Sequence, residues 1–599
     1  SRTPSEPAVR VCYPLPDLLI HPQKVNVEPK MRTLLRGFGL ILLSAAFAGA
    51  LSAGEISGTV KGPDGSAFKG AFVHAQNSKT KITVDVLSDR NGAYRVENLD
   101  PGDYVVTAAA EGYKSDPRRG VKVDADLPVS LDFALQKGMV RWADLSIHEG
   151  QVLLHDGPGK QLLFYRCMSC HGLQTKIAAA RRDEDGWSEC VALMRNRVGG
   201  VGDLRITDAD GAAIAKYLGT VFSVDSNLAH SPADLPEYSK VKHAEFSDEA
   251  MKIVYVLYDL PQIGRIPWVA YPQSDGAVWM PHSWTADQIA KLDQKTGEVQ
   301  EYNVPQDVRR AVHVHSVLQA PDGMVWFSED AACNLGKFDP ETKKITMYKP
   351  PFCRPKPDDA QTGRGMHSIG LGSMNSIRLD PYGYLWGGGS MLLRFDPRKE
   401  EFMEFPEART PYGIELDKQG NIWFAEFPKE GMIGKMDTKT LKITKWTPPT
   451  TLRLAALNKG KPDSDYGNSN PYPKTAGPRR ITVDSQGIVW FGEWWGNQIG
   501  RFDPKTETFK EYALPDPDPT PYAIGVDHYG YVWYSSYDDD ILGRLDPKTG
   551  SVVEFPLPFS GNGMRELMPD SQGHMWFGTP FNNKVGYFIP PEPSKMAQR

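Results

Sequence analysis

The sequence predicts a mainly β protein, with a seven-bladed β-propeller preceded by a small β-sandwich and a small α-helical domain. Three observations predict this fold class. A tryptophan and a glycine recur in seven units over residues 252–590, apolar and polar residues alternate between turn signals over residues 55–137, and apolar residues follow helical spacing over residues 140–225. A chain of 599 residues is long enough for these three domains, with residues 226–250 as a linker.

Composition excludes several classes of function. The formal charge is -6, from 68 basic and 74 acidic residues, and the sequence contains no basic run. Phosphate binding needs a concentrated positive face, so we predict no nucleic-acid partner. With 40% hydrophobic and 24% charged residues, the chain is typical of neither a disordered polymer nor a membrane bundle.

The N-terminal region carries the pattern of an export signal. After Met31, the basic Arg32 and Arg36 precede an apolar core at 37–47 and small residues at 48–50. We interpret residues 31–53 as a signal peptide and residues 1–30 as an over-extended reading frame. The apolar core is shorter than the roughly 20 residues of a membrane span, although an N-terminal anchor differs from a signal only in length and flanks. We expect a periplasmic or secreted protein whose mature chain has no transmembrane span.

Residues 55–137 alternate between apolar and polar side chains, with turn signals such as Asn91-Gly92 and Pro101-Gly102 between the alternating stretches. Seven short strands at this spacing predict a β-sandwich. The segment resembles the carboxypeptidase regulatory-like (transthyretin-like) domain through G-x-V at 58–60, D-x-x-G-x-Y at 89–94 and P-G-x-Y at 101–104. The resemblance implies a docking or spacer module rather than a catalyst.

The motif with the most specific chemistry is C-x-x-C-H, formed by Cys167, Cys170 and His171. It is typical of covalent haem c, in which two thioethers hold the porphyrin and the adjacent histidine binds the iron. A redox C-x-x-C pair is the alternative, but the export signal and the helical spacing on both sides favour haem. We predict one covalent haem c with His171 as an iron ligand.

The second iron ligand is predicted from the helix that follows. Trp187 and Met194 lie on one face of it, and the segment resembles small class I cytochrome c domains that carry a W-x6-M helix. The resemblance makes Met194 the candidate sixth ligand, since a thioether raises the reduction potential. Core packing of Met194 would give the same spacing, and His230 and His243 in the linker are the alternative ligands.

The seven C-terminal units align on a tryptophan with a glycine three residues before it. The tryptophans are Trp279, Trp326, Trp386, Trp423, Trp490, Trp533 and Trp576. Each unit contains four short strands separated by turns, which is the pattern of a propeller blade. The last unit ends at 585–588 without an outer strand, whereas an unmatched strand at 254–261 precedes the first unit. We predict that these two segments share one blade and close the ring, with no open sheet edge.

Two long insertions, 353–371 and 450–476, separate an outer strand from the next inner strand. Both insertions should therefore emerge on one face of the propeller. Their content of glycine, proline and asparagine predicts surface loops without further elements of structure.

The text Q-G-I-V-W-F-G-E…I-G-R-F-D-P-K-T at 486–506 resembles the virginiamycin B lyase (streptogramin lyase) family, and the resemblance covers all seven units. It implies a seven-bladed propeller and a metal-assisted elimination that opens a cyclic depsipeptide ester. It also implies catalytic histidines eleven residues before the tryptophan, in the last two blades, with glutamates near them and three residues after the tryptophan.

Both positions should lie near the channel mouth. The position eleven before the tryptophan holds Trp268, His315, Asn375, Tyr412, Arg479, Tyr522 and Arg565. The position three after it holds His282, Glu329, Gly389, Glu426, Glu493, Ser536 and Thr579. In the last two blades Tyr522 and Arg565 stand where histidines are expected, and their reference pKa values of about 10 and above about 12 do not suit a base at neutral pH. The resemblance therefore predicts the fold and not the reaction.

Blade two retains the catalytic candidates His313, His315 and Glu329, with His282 nearby in blade one. Two imidazoles and a carboxylate could bind a divalent metal ion at the propeller mouth or exchange protons. Alternatively, these groups only bond to one another and to water.

Two further features concern the propeller. Arg479, Arg480 and Arg565 would favour an anionic ligand at the channel mouth. Cys333 and Cys353 both fall in loops on the top face of blade two, where an oxidising compartment would permit a disulfide.

Three functions compete. The first is electron transfer by an exported haem protein with a redox partner protein, in which the propeller binds a small molecule, peptide or partner. The second is a lyase or hydrolase that acts at the propeller mouth, and the third is a non-catalytic binding protein. The haem motif favours the first. No G-x-G-x-x-G follows a strand, so we predict no nucleotide cofactor.

Overall fold

The structure, a computed structural model, describes residues 54–593 apart from 126, 169–170, 199–205, 242–245, 263, 284–285, 306–312, 331, 352–373 and 463–471. The export signal, Cys170, His243, Cys353 and the first insertion thus lie outside the described residues. The described chain forms a β-sandwich, a helical domain and a propeller.

The sandwich has more strands than the seven predicted. They are β1 (Gly54–Lys61), β2 (Phe72–Asn77), β3 (Ile82–Leu87), β4 (Ala93–Leu99), β5 (Gly102–Ala110), β6 (Tyr113–Lys114), β7 (Arg118–Val123), β8 (Val129–Ser130), β9 (Phe133–Ala134) and β10 (Gln136–Lys137). One sheet has β1 between β4 and β8, and the other runs β10-β6-β5-β2-β3 with β7 also on β5. Alternate residues such as Ile56, Val73, Val96 and Val106 are fully buried between the sheets.

The helical domain contains α1 (Ile147–Leu153), α2 (Lys160–Cys167), α3 (Glu184–Val198) and α4 (Asp208–Val221), with one π-helical turn at Gln174–Ala178. Capping boxes start two of them: Ser146 with Glu149 at α1, and Thr207 with Asp210 at α4. The expected helix over 160–166 is confirmed, and α4 extends three residues beyond its expected end at Leu218. None of the described helices is both long and apolar enough to cross a membrane.

The propeller consists of seven four-stranded antiparallel blades, as predicted. Blade one has β12 (Tyr271–Pro272), β13 (Ala277–His282), β14 (Gln288–Asp293) and β15 (Val299–Asn303), and blade two has β16 (Val314–Gln319), β17 (Val325–Glu329), β18 (Asn334–Asp339) and β19 (Lys344–Tyr348). Blade three has β20 (Met374–Leu379), β21 (Leu385–Gly389), β22 (Met391–Asp396) and β23 (Glu401–Arg409), and blade four has β24 (Pro411–Leu416), β25 (Ile422–Glu426), β26 (Ile433–Asp437) and β27 (Lys442–Trp446). Blade five has β28 (Pro478–Val483), β29 (Val489–Glu493), β30 (Gln498–Asp503) and β31 (Thr508–Ala513), and blade six has β32 (Pro521–Val526), β33 (Val532–Ser536), β34 (Ile541–Leu545) and β35 (Val552–Pro556). Blade seven has β36 (Met568–Pro569), β37 (Met575–Thr579), β38 (Lys584–Ile589) and the early strand β11 (Val254–Asp259).

The repeated glycine and tryptophan have distinct structural roles. All seven glycines have a φ between 81° and 89°, a left-handed conformation that glycine adopts without strain, and each forms the turn before the second strand. The tryptophans are buried between blades, and in five blades the indole Nε1 donates to an aspartate six residues earlier, as in Trp533 to Asp527 at 2.7 Å. No role for this aspartate was predicted from the sequence.

The ring closes as predicted, but the outer strand of the closing blade is not a free sheet edge. Strand β11 pairs antiparallel with β38 in register from Val254↔Ile589 to Asp259↔Lys584. On its other side β11 pairs with β3 of the sandwich, from Tyr255↔Asp85 to Tyr258↔Ile82. The sandwich sheet and blade seven therefore form one continuous ten-stranded sheet. Closure alone leaves the outer strand of the blade exposed, and the sandwich covers it.

The second insertion is not only a surface loop. It contains α5 (Pro449–Leu457), which buries Thr450, Thr451 and Leu454 against the propeller. Thr450 hydrogen-bonds to Glu511 on the outer strand of blade five. Pro449 at the first position of α5 is favourable, because the backbone nitrogen at that position has no hydrogen-bond acceptor within the helix. The expectation of a loop without further elements was therefore wrong for this insertion.

Candidate functional site at the propeller mouth

The seven residues eleven positions before the repeated tryptophans form a ring at the start of the inner strands, here called the mouth ring. Its members are Trp268, His315, Asn375, Tyr412, Arg479, Tyr522 and Arg565. The Arg565 guanidinium lies 3.8 Å from the Trp268 ring centre, and Trp268 stacks on His315 at 6.3 Å. Across the ring, the hydroxyls of Tyr412 and Tyr522 form a hydrogen bond. The prediction that these positions meet at one place is confirmed.

Three arginines surround Tyr522. The guanidinium carbons of Arg479, Arg565 and Arg480 lie 3.8, 4.9 and 5.9 Å from the centre of its ring. All three arginines are 3% exposed, so water screens their charges poorly. Burial alone would raise the pKa of Tyr522, but the positive charges of the arginines outweigh it and lower the pKa to about 8. The mouth ring is therefore a region of positive potential.

A second layer of charged residues lies below the mouth ring. Arg480 forms an ion pair with Glu566 at 2.9 Å and donates to Ser376 at 2.6 Å. Arg378 lies 3.2 Å from Glu415 and 3.4 Å from Glu566. Glu566 and Arg378 were not singled out in the sequence, although Glu566 follows directly after a mouth-ring arginine.

Of the blade-two candidates, His313 and His315 both contact Trp268, whereas Glu329 has a different partner. The His313 Nδ1 bonds to Asp330, and its Nε2 accepts from the Trp268 indole at 3.1 Å. The Glu329 carboxylate accepts from Asn334 at 2.7 Å, and burial raises its pKa to about 7. Burial and nearby positive charges hold the pKa of His315 well below its usual range. Among the described residues no group of three or more potential ligands converges on a metal position, so the metal hypothesis gains no support.

The residues three positions after the tryptophans lie beside the mouth ring, at the end of the second strands. Glu329 pairs with Val314 and Glu493 with Pro478, each the residue directly before a mouth-ring member. Glu426 bonds to Lys445 on the outer strand of blade four at 2.8 Å, and His282 lies 3.3 Å from Glu301 on the outer strand of blade one. Glu493 bonds to Gln498 on the third strand of blade five at 2.8 Å. The expectation that these positions lie near the channel mouth is therefore confirmed, although the polar contacts of these three side chains run along the blade toward its outer strands.

The haem-motif residues lie at the end of α2. Cys167 is its last residue, Met168 is fully buried, and Cys170 lies outside the described residues. The half-buried His171 donates from Nδ1 to the Gly172 carbonyl at 3.1 Å, which leaves Nε2 as the lone-pair nitrogen. Burial lowers the pKa of His171 to about 4, so the imidazole is neutral at physiological pH.

The remaining sequence candidates, Met194, His230 and Cys333, lie in three different environments. Met194 is half-buried on α3, and the residue two turns before it, Trp187, is buried and donates from its indole to the Phe222 carbonyl at 3.2 Å. His230 is exposed in the linker. Cys333 is buried, and its predicted disulfide partner Cys353 lies outside the described residues. Met194 as iron ligand and the disulfide both stay predictions.

The helical domain packs on the mouth ring. One apolar core joins Met168 and Leu173 of the helical domain to Trp494, Tyr522 and Tyr537 of the propeller. Polar contacts flank this core: Gln174 donates to Asp540 at 3.0 Å, and the His148 amide donates to the Asp538 carbonyl at 2.9 Å. The haem motif and the propeller mouth thus face one interface, which the sequence did not indicate.

Comparisons with known proteins agree with two of the three domains. Residues 55–136 match the carboxypeptidase regulatory-like domain, and residues 459–590 match the virginiamycin B lyase family. A virginiamycin B lyase from Nocardia farcinica (strain IFM 10152) is 28% identical over 136 residues, which cover 20% of this chain and 48% of the relative. The match thus spans about half the length of that curated relative.

Solved structures resemble the propeller at low identity. Selenomethionine-substituted virginiamycin B lyase from Staphylococcus aureus is 22% identical and covers 56% of this chain and 99% of its own, with a TM-score of 0.45. The WD40 β-propeller domain of Doa1 is 11% identical and covers 56% of this chain and 97% of its own, with a TM-score of 0.39. The chain combines a carboxypeptidase regulatory-like domain with a virginiamycin B lyase-like propeller.

Proposed function

We propose that the chain is an exported c-type haem protein that transfers single electrons, and that its lyase-like propeller binds a substrate or partner beside the haem. The observation that carries this proposal is the position of Cys167 and His171. They lie at the end of α2, within a domain whose apolar core continues into the propeller mouth.

The residues present fit a haem c. The motif supplies two thiols for the porphyrin edge and one imidazole for the iron. The hydrogen bond from His171 Nδ1 to the Gly172 carbonyl fixes the ring and leaves Nε2 available, which is the usual arrangement for a histidine ligand. The depressed pKa of His171 keeps the imidazole in the neutral form that binds metals.

The surrounding residues would set the properties of the group. When bound, haem supplies reversible one-electron exchange. Leu163, Phe164 and Leu173 are at most 1% exposed around the motif and would exclude water from it. A thioether from Met194 would complete the iron coordination and raise the reduction potential.

The interface with the propeller would place the haem close to a ligand bound at the mouth ring, which could then exchange electrons with it. Trp494, Tyr522 and Tyr537 belong to the same apolar core as the residues next to the haem motif. A ligand at the mouth ring would therefore lie on the far side of this core from the haem. A single haem accepts one electron at a time, so the chemistry at the mouth would be one-electron chemistry or would need a redox partner protein.

Lyase activity is the less favoured alternative. Tyr522 and Arg565 occupy the positions where the family resemblance implies histidines, and loss of a positioned base typically costs about 10²–10⁴ in rate. The helical domain also packs on the mouth, where a cyclic depsipeptide would need access. Both observations count against lyase activity.

The test is expression of the full chain in a host with a haem-ligation system. We expect one haem per chain that survives denaturation and acid-acetone extraction, and a spectrum that changes on addition of dithionite. Cys167→Ala and Cys170→Ala should each lose the covalent haem, whereas the matched control Cys190→Ala should keep it. Colourless protein would refute the proposal, and Mg²⁺-dependent turnover of virginiamycin B that is lost in His315→Ala would favour the lyase.

A further inference from the structure

Below the mouth ring, Arg480 has hydrogen-bonding capacity that the described residues do not use. Its Nη1 is engaged by Glu566 and Ser376, but Nε and Nη2 are buried without a hydrogen-bond partner among the described residues. The Nδ1 atom of His315 is buried in the same state. A buried donor without an acceptor typically costs about 1–3 kcal/mol, so a bound acceptor here would be stabilising.

The charge around this position is positive. Four arginines, Arg378, Arg479, Arg480 and Arg565, and two glutamates, Glu415 and Glu566, are the ionised residues described along the mouth ring and the channel below it. Arg378 and Arg480 share Glu566. Confining several cations in a region that excludes water is unfavourable unless anions accompany them. The lowered pKa of Tyr522 reports the same positive potential.

A cavity adjoins the Arg480 side chain. It has a volume of about 260 Å³ and lies among the inner strands of blades three to seven. Its lining residues include the apolar Ile414, Ile481 and Ile524. The charged lining residues are Arg378, Arg480, Glu415 and Glu566. The helical domain covers the mouth above, so only a small ligand fits.

The wall also distinguishes between anions. A hydrated dianion such as inorganic phosphate would lose its water shell against isoleucines and would repel Glu566. A monocarboxylate would place one planar anionic group against a guanidinium, whose geometry suits two parallel hydrogen bonds, and its apolar part against the isoleucines.

We propose that the channel below the mouth ring binds a small monocarboxylate, with Nε and Nη2 of Arg480 donating to its carboxylate. This site is separate from the haem and does not depend on it. Arg565 and Arg479 add long-range attraction from the mouth ring.

The experiment is calorimetric titration of the full-length protein, with or without haem, with acetate and with benzoate. Their neutral isosteres, acetamide and benzamide, are titrated in parallel. We expect saturable binding of one carboxylate per chain and no binding of the matching amide. Arg480→Gln should weaken binding about tenfold or more, because it removes a charge-assisted hydrogen bond. The matched control is Arg544→Gln, since Arg544 is another buried arginine, and within the described part of the chain it forms one ion pair, with Glu249.

Several results would overturn the proposal. If neither carboxylate binds, or if acid and amide bind equally, the channel does not select a carboxylate and water alone fills it. If Arg480→Gln leaves the affinity unchanged, the binding site lies elsewhere. Tighter binding of inorganic phosphate than of either carboxylate would refute the class of ligand. If Arg480→Gln does not fold, the wild type decides the question, because a bound carboxylate must raise the pKa of Tyr522 and the amide must not.

Discussion

Removing one mouth-ring charge should move the titration of Tyr522. In Arg565→Gln the guanidinium is replaced by a neutral amide of similar shape. The Arg565 guanidinium carbon lies 4.9 Å from the Tyr522 ring centre, and both side chains are buried. At an effective dielectric constant of about 20, a unit charge at that distance contributes about 3 kcal/mol, or about 2 pKa units. We therefore expect the pKa of Tyr522 to rise from about 8 to about 10.

The assay is the near-ultraviolet absorbance of tyrosinate during a pH titration. Tyr522→Phe identifies the signal of this residue by difference, which also removes the contribution of any bound haem. Arg565→Lys is the matched control, since it keeps the positive charge and should keep the pKa near that of the wild type. If the wild type and Tyr522→Phe show the same transitions below about pH 9, the pKa of Tyr522 is not lowered. If Arg565→Gln titrates like the wild type, Arg565 does not cause the lowering.

The same shift has a consequence for stability. The pKa of Tyr522 is lower in the folded chain than its unfolded value of about 10. The ionised tyrosine therefore stabilises the fold fully above pH 10, and this contribution is lost as the pH falls through about 8. At neutral pH, ionisation of Tyr522 contributes no stability.

Three further changes test other parts of the structure. Met194→Ala should lower the reduction potential and abolish any sulfur-to-iron charge-transfer band, and an unchanged visible spectrum and potential would exclude Met194 as the ligand. Burial raises the pKa of Glu329 in the folded chain to about 7, so the wild type loses stability as the pH rises from about 4 through 7. Glu329→Gln should therefore stabilise the protein at pH 8, and equal urea midpoints of the wild type at pH 5 and pH 8 would contradict this. Tyr255→Phe removes a buried hydrogen bond to the Pro556 carbonyl and should lower the free energy of unfolding by about 1 kcal/mol, whereas Tyr255→Ala should lower it by about 3–5 kcal/mol. Similar losses in the two variants would show that packing of the Tyr255 ring contributes little to stability.

The sequence predicted the blades because their signals are local. A glycine in a left-handed turn and a tryptophan three residues later mark every second strand, and the missing outer strand of the last unit identified Val254–Asp259 as its replacement. The convergence of the mouth ring followed from its constant distance to the tryptophan. These features depend on residue types that recur at fixed intervals.

The remaining features depend on contacts that leave no such pattern. Pairing of β3 with β11 uses backbone groups, which any pair of exposed strands can supply. Helix α5 begins at Pro449 within a segment rich in turn-forming residues, so its helical content was hidden by composition. The core that contains both Leu173 and Tyr522 joins residues about 350 positions apart, each of which alone resembles ordinary core.

The pairing of β3 with β11 bears on the order in which the chain folds. In a chain that emerges from its N-terminus, the sandwich is available long before residues 584–589, and β11 can form on the edge of β3 as soon as it appears. The partner strand β38 arrives last, so the ring closes on a strand that is already in place. Loop closure over more than 300 residues is entropically costly, and a preformed docking strand reduces the number of conformations that must be searched. The N-terminal domain would then act as an assembly template, and its removal should slow propeller refolding more than it lowers propeller stability.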